Sequence, residues 1–314
     1  MAANSSEPAG QSSARKINSR VILVQVLVLV FLCINFLLIV TFSMRHFFYT
    51  TMRYILFAVT LLSDSVLLLL TDIMLILSYF AVAIEMWVCV TIYVVLALYT
   101  FVTPVTLTVM TLERYVAICL PLRHSELCSM RRALHCILLV HGVSFLPCAV
   151  VLSMLFASAS YNFYTQVKIC SAEILIIHQW QSHLRSAISQ FYFLIMCVVI
   201  LLSYIKVMKV AKAASGENKK STWKGLRTVI LHAFQLLLSL IQLWCPFIES
   251  AIFQIDYMLF INVRYFNYVT FILAPRCLSP LIYGLRDEKF FNALKYLALC
   301  GLYKKDWIYL MIEY

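Results

Sequence analysis

Apolar residues in this chain run in long, unbroken stretches instead of alternating, near 21–44, 54–80, 87–112, 132–157, 185–210, 226–253 and 266–286. A helix needs about 20 apolar residues to cross the hydrocarbon core of a bilayer. A membrane β-barrel would show strands of about ten residues with alternating polarity, and these stretches do not alternate. The pattern therefore predicts an all-α membrane protein, a seven-transmembrane helix bundle over 21–286. An N-terminal tail (1–20) precedes it and a C-terminal region (287–314) follows it. The connecting segments are short and leave no room for a sizeable soluble domain. Pro104, Pro147, Pro246, Pro275 and Pro280 fall inside the apolar stretches, which membrane helices tolerate because neighbouring helices satisfy the freed backbone groups. Residues 1–19 have no apolar central stretch of the kind a cleaved signal peptide carries. The first helix is expected to act as its own signal and anchor.

Composition strengthens this picture. Hydrophobic residues make up 63% of the chain and charged residues 12%, against about 25% charged in a typical soluble domain. The net charge of +11 could point to nucleic acid, but the basic residues lie at helix ends. With the N-terminus outside, 18 of the 25 Lys and Arg fall on the cytoplasmic side, leaving Arg15, Lys16, Arg20, Lys168, Arg185, Arg264 and Arg276 elsewhere. This is the positive-inside asymmetry, and it outweighs the local reversal around the first helix. The orientation makes Asn4-Ser5-Ser6 a usable glycosylation sequon. It also places Cys89 and Cys170 on the oxidising side, either as a disulfide or as two separate buried thiols.

Short motifs then carry a family resemblance over nearly the whole chain. The third stretch ends in MTLERYVAICLPLRH, which resembles the MAYDRYVAICKPL signature of odorant receptors within the rhodopsin-like, G-protein-coupled class. Cys89 precedes Arg114 by 25 residues, the separation seen in that class. Ser203-Tyr204 matches the pair closing the family's fifth helix. Ser279-Pro280-Leu281-Ile282-Tyr283-Gly284-Leu285-Arg286 resembles NPLIYSLR, and Trp244-Cys245-Pro246 has the Trp-x-Pro spacing of the helix-six hinge. Several features depart from the family pattern. Ser279 replaces an Asn, the second outer loop has one cysteine where many relatives have three, and the fourth span lacks the common tryptophan. Asp64 lies one residue further from Tyr54 than in rhodopsin, and many odorant receptors lack the Trp of the hinge. These departures place the chain with a divergent, fish-type branch.

The resemblance implies a receptor localised to the plasma membrane. A small odorant-like ligand would bind in the outer half of the bundle and activate a heterotrimeric G protein of the stimulatory olfactory type. It implies that Glu113, Arg114 and Tyr115 form a latch, with Tyr204, Trp244, Pro246, Pro280 and Tyr283 moving on activation. The bland reading of Arg114 is a side chain snorkelling to the interface, and that of Trp244 is packing alone. Family pocket depths single out Thr100, Phe101, Ser189, Tyr192, Trp244, Phe247 and Tyr265 for ligand contact, core packing being the alternative for each. Lys206, Lys209 and Lys212 share a helical face suited to a G protein or to acidic lipid. A short amphipathic helix eight is expected from about Asp287, with Phe290, Phe291, Leu294 and Leu297 on its apolar side and Cys300 as a palmitoylation candidate.

Other functions fit the residues poorly. There is no nucleophile–base pair or Gly-rich phosphate loop, so no catalytic residues and no cofactor are assigned. His178 and His183, five apart, do not share a helical face, and no metal site is assigned. Residues 266–285 contain no lysine for a retinal Schiff base. A small transporter would show paired repeats, which are absent. A non-olfactory receptor of the same class is the nearer alternative. Leu96 stands where amine receptors keep an aspartate, and the apolar stretch Tyr93–Phe101 points to an uncharged or weakly polar ligand.

Two charges inside spans remain. Glu249 in the sixth span could face the cavity or a cation such as Arg264 or Lys168, or simply reach headgroup water. Arg276 sits well inside the seventh span, where rhodopsin-like receptors use an aspartate on helix two to hold sodium. Pairing relieves the cost of isolated charges in the membrane. An intramembrane ion pair between Asp64 and Arg276 is therefore expected, with Asp72 as the rival acid.

Overall fold

A computed structural model of the chain describes residues 19–44, 46–171, 174–214, 233–278 and 288–298. Among the described residues, six helices are long and apolar enough to cross a bilayer: α1 Ser19–Ser43, α2 Met52–Tyr79, α3 Met86–Cys119, α4 Met130–Ser158, α5 Gln179–Ala214 and α6 Ala233–Phe253. The seventh, α7, opens at Tyr257 and runs to residue 278. An eighth, α8, covers Glu288–Ala298. The boundaries differ from the hydropathy reading where polar residues extend a helix. α5 begins six residues before the expected 185, and α7 nine before the expected 266. Asp256 is the reason at α7, because its carboxylate caps the helix by accepting from the Met258 N–H at 2.9 Å, a contact that stabilises a start whatever the polarity that follows.

The long α3 packs against α2, α4 and α5 and forms the central post of the bundle. It continues past the apolar window to Cys119 and stops at Leu120, in an extended-side conformation (φ −132°) before Pro121, as a residue preceding proline prefers. Large apolar side chains such as Leu29, Phe36, Leu138 and Leu201 remain exposed on the outside of the bundle. On a soluble surface such patches would be a liability; here lipid is the solvent that covers them.

One end is closed by a two-stranded sheet, β1 Ala83–Glu85 with β2 Val167–Ile169, antiparallel and paired Ala83 to Ile169. The turn into β1 ends α2 in a Schellman arrangement. Ala81 N–H donates to Ser78 O and Val82 N–H to Leu77 O, at 3.2 and 2.9 Å. Ala81 therefore adopts φ 53°, the left-handed region that glycine usually fills at this position. Cys170 follows β2 directly and is disulfide-bonded to Cys89 on α3, with Cα atoms 5.6 Å apart. Both sulfurs are buried with Met86, Leu155 and Leu175. We refer to the end bearing this disulfide as outer and to the opposite end as inner.

At the inner end, Phe290 of α8 is fully buried among Phe48, Tyr54 and Phe57, with ring centroids 5.2, 6.4 and 5.7 Å away. Such ring pairs contribute about 0.5–1.5 kcal/mol each beyond their buried area, and they fasten α8 to α2 and to the short helix His46–Thr50. Leu294 packs against the same cluster, whereas Phe291 is partly exposed.

Candidate functional site

Two interior prolines set the geometry that matters for function. Pro246 has no N–H to offer the carbonyl of Gln242, and its ring crowds that carbonyl. The chain responds with a 3₁₀ turn at Gln242–Trp244, in which Cys245 N–H donates to Gln242 O. In α7, Pro275 makes the same demand on the turn before it. The ladder there widens into a π-helical turn, Tyr268–Leu273, the kind of local adjustment often found at functional sites.

These two distortions bring Gln242 and Arg276 together. Arg276 is buried, and its Nη2 donates to Gln242 Oε1 at 3.2 Å. Its Nη1 bonds the backbone carbonyl of Ile272. Its Nε lies 3.6 Å from Asp64 Oδ1, with side-chain exposures of 2% and 1%. The same carboxylate oxygen accepts from Thr103 Oγ1 at 3.0 Å. Four helices, α2, α3, α6 and α7, thus meet on one buried charge pair. Asp72 is engaged elsewhere, accepting from Gln25 Nε2 at 2.5 Å.

Directly above this pair, towards the outer end, lies a cavity of about 660 Å³, within the range that holds small organic ligands. Gln242 and Ile272 line it as well, so its floor is also the roof of the ion pair. Of the residues expected to contact ligand, Thr100, Phe101, Ser189, Phe247 and Tyr265 line the cavity. Tyr192 and Trp244 do not. Tyr192 stands behind Phe101, rings 5.2 Å apart, and its hydroxyl donates to Val143 O at 2.7 Å. Trp244 is turned outward by the 3₁₀ twist, 37% exposed, with its ring 5.7 Å from that of Phe193 on α5. Leu96 lines the wall, as an apolar residue at that position would.

The charged lining sits nearer the mouth. Glu249 accepts from Asn267 Nδ2 at 3.0 Å and faces Arg264 at 3.9 Å. Arg20 donates to Asn262 at 2.9 Å and lies over the Tyr265 ring. Across the cavity, Arg185 Nη1 donates to the hydroxyl of Tyr93 at 3.1 Å.

At the inner end, Glu113 pairs with His124 at 3.5 Å, from the short helix Pro121–Leu127. Tyr115 lies under Lys206, whose ammonium is 5.5 Å from the ring centroid. Tyr204 belongs to the inner core cluster and lies in the field of Arg114. Ser203 is buried beside it and donates to Val199 O at 2.7 Å. Glu113, His124 and Cys128 bring one ligand atom each within 4.8 Å of one another, a cluster the sequence did not advertise. Burial first, and the charge of Glu113 second, push the Cys128 thiol above its usual range, so it stays protonated at neutral pH. Asn4, Pro280, Tyr283, Ser279, Cys300, Asp287 and the side chains of Lys212 and Leu297 lie outside the described residues.

Gln242, Thr103, Tyr93, Asn267 and His124 were not singled out from the sequence. A glutamine four residues before the hinge proline was the one available signal, since it falls on the carbonyl that proline frees. Arg185 was visible only as an outer positive charge.

The profile of the seven-transmembrane receptors of the rhodopsin family matches residues 34–283. Odorant receptor 131-2 of Danio rerio is 43% identical over 290 residues, covering 92% of this chain and 89% of that protein. Galanin receptor 2a of Danio rerio is 24% identical over 231 residues, covering 68% of this chain and 59% of that protein.

Proposed function

From the premise that the chain belongs to the rhodopsin family of seven-transmembrane receptors, and within it to the odorant receptors, we propose that its ligand acts on the buried Asp64–Arg276 pair through Gln242. It is a multi-pass membrane receptor that binds a small molecule and couples to a G protein, not an enzyme. The match to the receptor profile also closes the transporter alternative.

The observation that carries the mechanism is the continuity of the cavity floor with the ion pair. Gln242 touches both, and it sits on the turn that Pro246 loosens. A ligand that binds one arrangement of the floor more tightly shifts the population towards it, by no more than its differential affinity. Moving Gln242 breaks or remakes one hydrogen bond to a buried guanidinium, a contact to a charged group of about 1.5–3 kcal/mol. That is the scale of ordinary allosteric coupling. In this reading α6 pivots near Pro246, and the latch around Glu113, Arg114 and Tyr115 opens for the G protein. Tyr204, Pro280 and Tyr283 support the open form.

Finer assignments belong to the same proposal. The N-terminus faces outward, the receptor sits in the plasma membrane, and the G protein is of the stimulatory olfactory type. Asn4 carries a glycan, and Lys206 and Lys209 meet acidic headgroups or the G protein. The experiment is a ligand screen on cells reporting cyclic AMP, repeated with Gln242→Leu. The variant should reach the surface yet show an altered basal signal and weaker ligand gain. An unchanged dose–response curve in Gln242→Leu would remove the floor from the mechanism.

A further inference from the structure

We propose that the outer cavity is built for organic anions, small molecules with an apolar body and one carboxylate, and that Arg185 is their counter-charge; this rests on the cavity being the ligand site. Among the described residues, the lining holds three guanidiniums, Arg20, Arg185 and Arg264, and a single carboxylate, Glu249. That carboxylate is engaged by Asn267 and Arg264 on the α6–α7 side. Arg185 faces it from α5, and its described hydrogen-bond partner is the neutral phenol of Tyr93. Its Nε is buried without a hydrogen bond.

The arrangement is the one a carboxylate requires. Tyr93 on α3 holds one arm of the guanidinium and fixes the plane of the fork, whose remaining donors match the two oxygens of a carboxylate. The position lies six residues into α5, about 9 Å below its outer end, under the loop that Cys170 pins in place. A void of about 20 Å³ beside Arg185, lined by Tyr93, Leu155 and Gln181, has room for about one water. That water would hydrate the guanidinium without neutralising it. An anion does both, and it gains from a site with little competing solvent. The Ser189 hydroxyl donates to the Arg185 carbonyl at 3.1 Å, so it presents no free donor that would favour a neutral carbonyl ligand instead. Leu96, Val151 and Ile188 supply the apolar wall for the rest of the molecule. The apolar face of α3 alone points to an uncharged ligand; the charge comes from α5, which faces it.

The test uses the full-length receptor in cells reporting cyclic AMP, with a panel of aliphatic and aromatic carboxylic acids, each beside its methyl ester, alcohol and amine. At least one acid should activate at a concentration tenfold or more below its ester and alcohol, and the amines should be inactive. Arg185→Gln should raise the half-maximal concentration of that acid at least tenfold while matching wild type at the cell surface. Arg185→Lys should recover part of the loss, and Tyr93→Phe should cost a few-fold. Lys168→Gln, on β2, should leave the acid preference intact; its loss there would assign the recognition to the outer strand pair and overturn the proposal. So would esters as potent as their acids, an acid response indifferent to Arg185→Gln, or silence towards the whole acid panel. Leu96→Trp, which narrows the cavity at its α3 wall, separates the two ideas. If neutral compounds activate and Leu96→Trp abolishes that response, the cavity stands and the anion falls. If activation survives Leu96→Trp, the cavity itself is not the site.

Discussion

Arg276 on α7 and Asp64 on α2 lie 3.6 Å apart, both almost fully buried, although 212 positions separate them in the chain. In the resemblance drawn from the sequence, the helix-two aspartate serves a sodium ion, the place the guanidinium would take here. An isolated charge there costs about 2.5–3.5 kcal/mol on insertion scales, and removing one partner of a buried pair typically costs more than never having had it. Asp64→Asn should therefore lower surface expression and ligand response sharply. Asp64→Asn with Arg276→Gln should recover part of both, and sodium should not modulate the wild type. Surface labelling and dose–response curves across this mutant cycle decide it; a double mutant worse than both singles would defeat the pairing.

Arg114 follows Glu113 at the inner end of α3, where Glu113 pairs with His124. Arg114→Ala should reach the surface at near wild-type levels and lose G-protein signalling. Normal cyclic AMP output from that variant would return Arg114 to an interfacial snorkelling role.

Glu249 is partly buried between Asn267 and Arg264. Glu249→Gln keeps an acceptor for Asn267 but drops the charge facing Arg264. The expected outcome is a several-fold shift in ligand potency with little change in expression, read from dose–response curves normalised to surface receptor. An unchanged curve would mean the carboxylate serves only the helix end.

The Cys89–Cys170 bond closes a loop with 81 residues of sequence separation, and native disulfides of this sort contribute about 2–4 kcal/mol. Cys89→Ser and Cys170→Ser should each reduce surface expression and ligand response, and the double substitution should be no worse than either single. Additive losses in a flow-cytometry assay would show two independent thiols.

Ala81 holds a left-handed conformation at the end of α2. A side chain there costs about 1–2 kcal/mol, part of which glycine returns as unfolded-chain entropy. Ala81→Gly should raise the melting temperature of the purified receptor modestly without altering ligand response.

Much of this was readable before any coordinates. Unbroken apolar stretches declare helices in lipid, and six of the seven stand as long apolar helices among the described residues. The Asp64–Arg276 pair was legible for the same reason, because two opposite charges inside spans have few affordable positions except together. What stayed hidden depends on rotation about helix axes. Trp244 carries a hinge motif, yet the 3₁₀ turn that Pro246 induces points the indole outward and the Gln242 side chain inward. Hydropathy is blind to such a twist of one turn. Arg185 was equally invisible as a cavity residue, because its meaning depends on Tyr93, 92 positions away in the chain.

The π-helical turn at Tyr268–Leu273 has a consequence for how this gene can change length. A turn of that kind is an α-helix carrying one surplus residue, and each residue of an α-helix accounts for about 100° of rotation. Removing one residue from within 268–273 would restore the regular ladder and leave the faces on either side where they are. Removing one from Tyr257–Asn267 would swing everything beyond it by that angle and carry Arg276 away from Asp64. Single-codon deletions in this helix should therefore survive selection at the wide turn and be purged from the stretch before it.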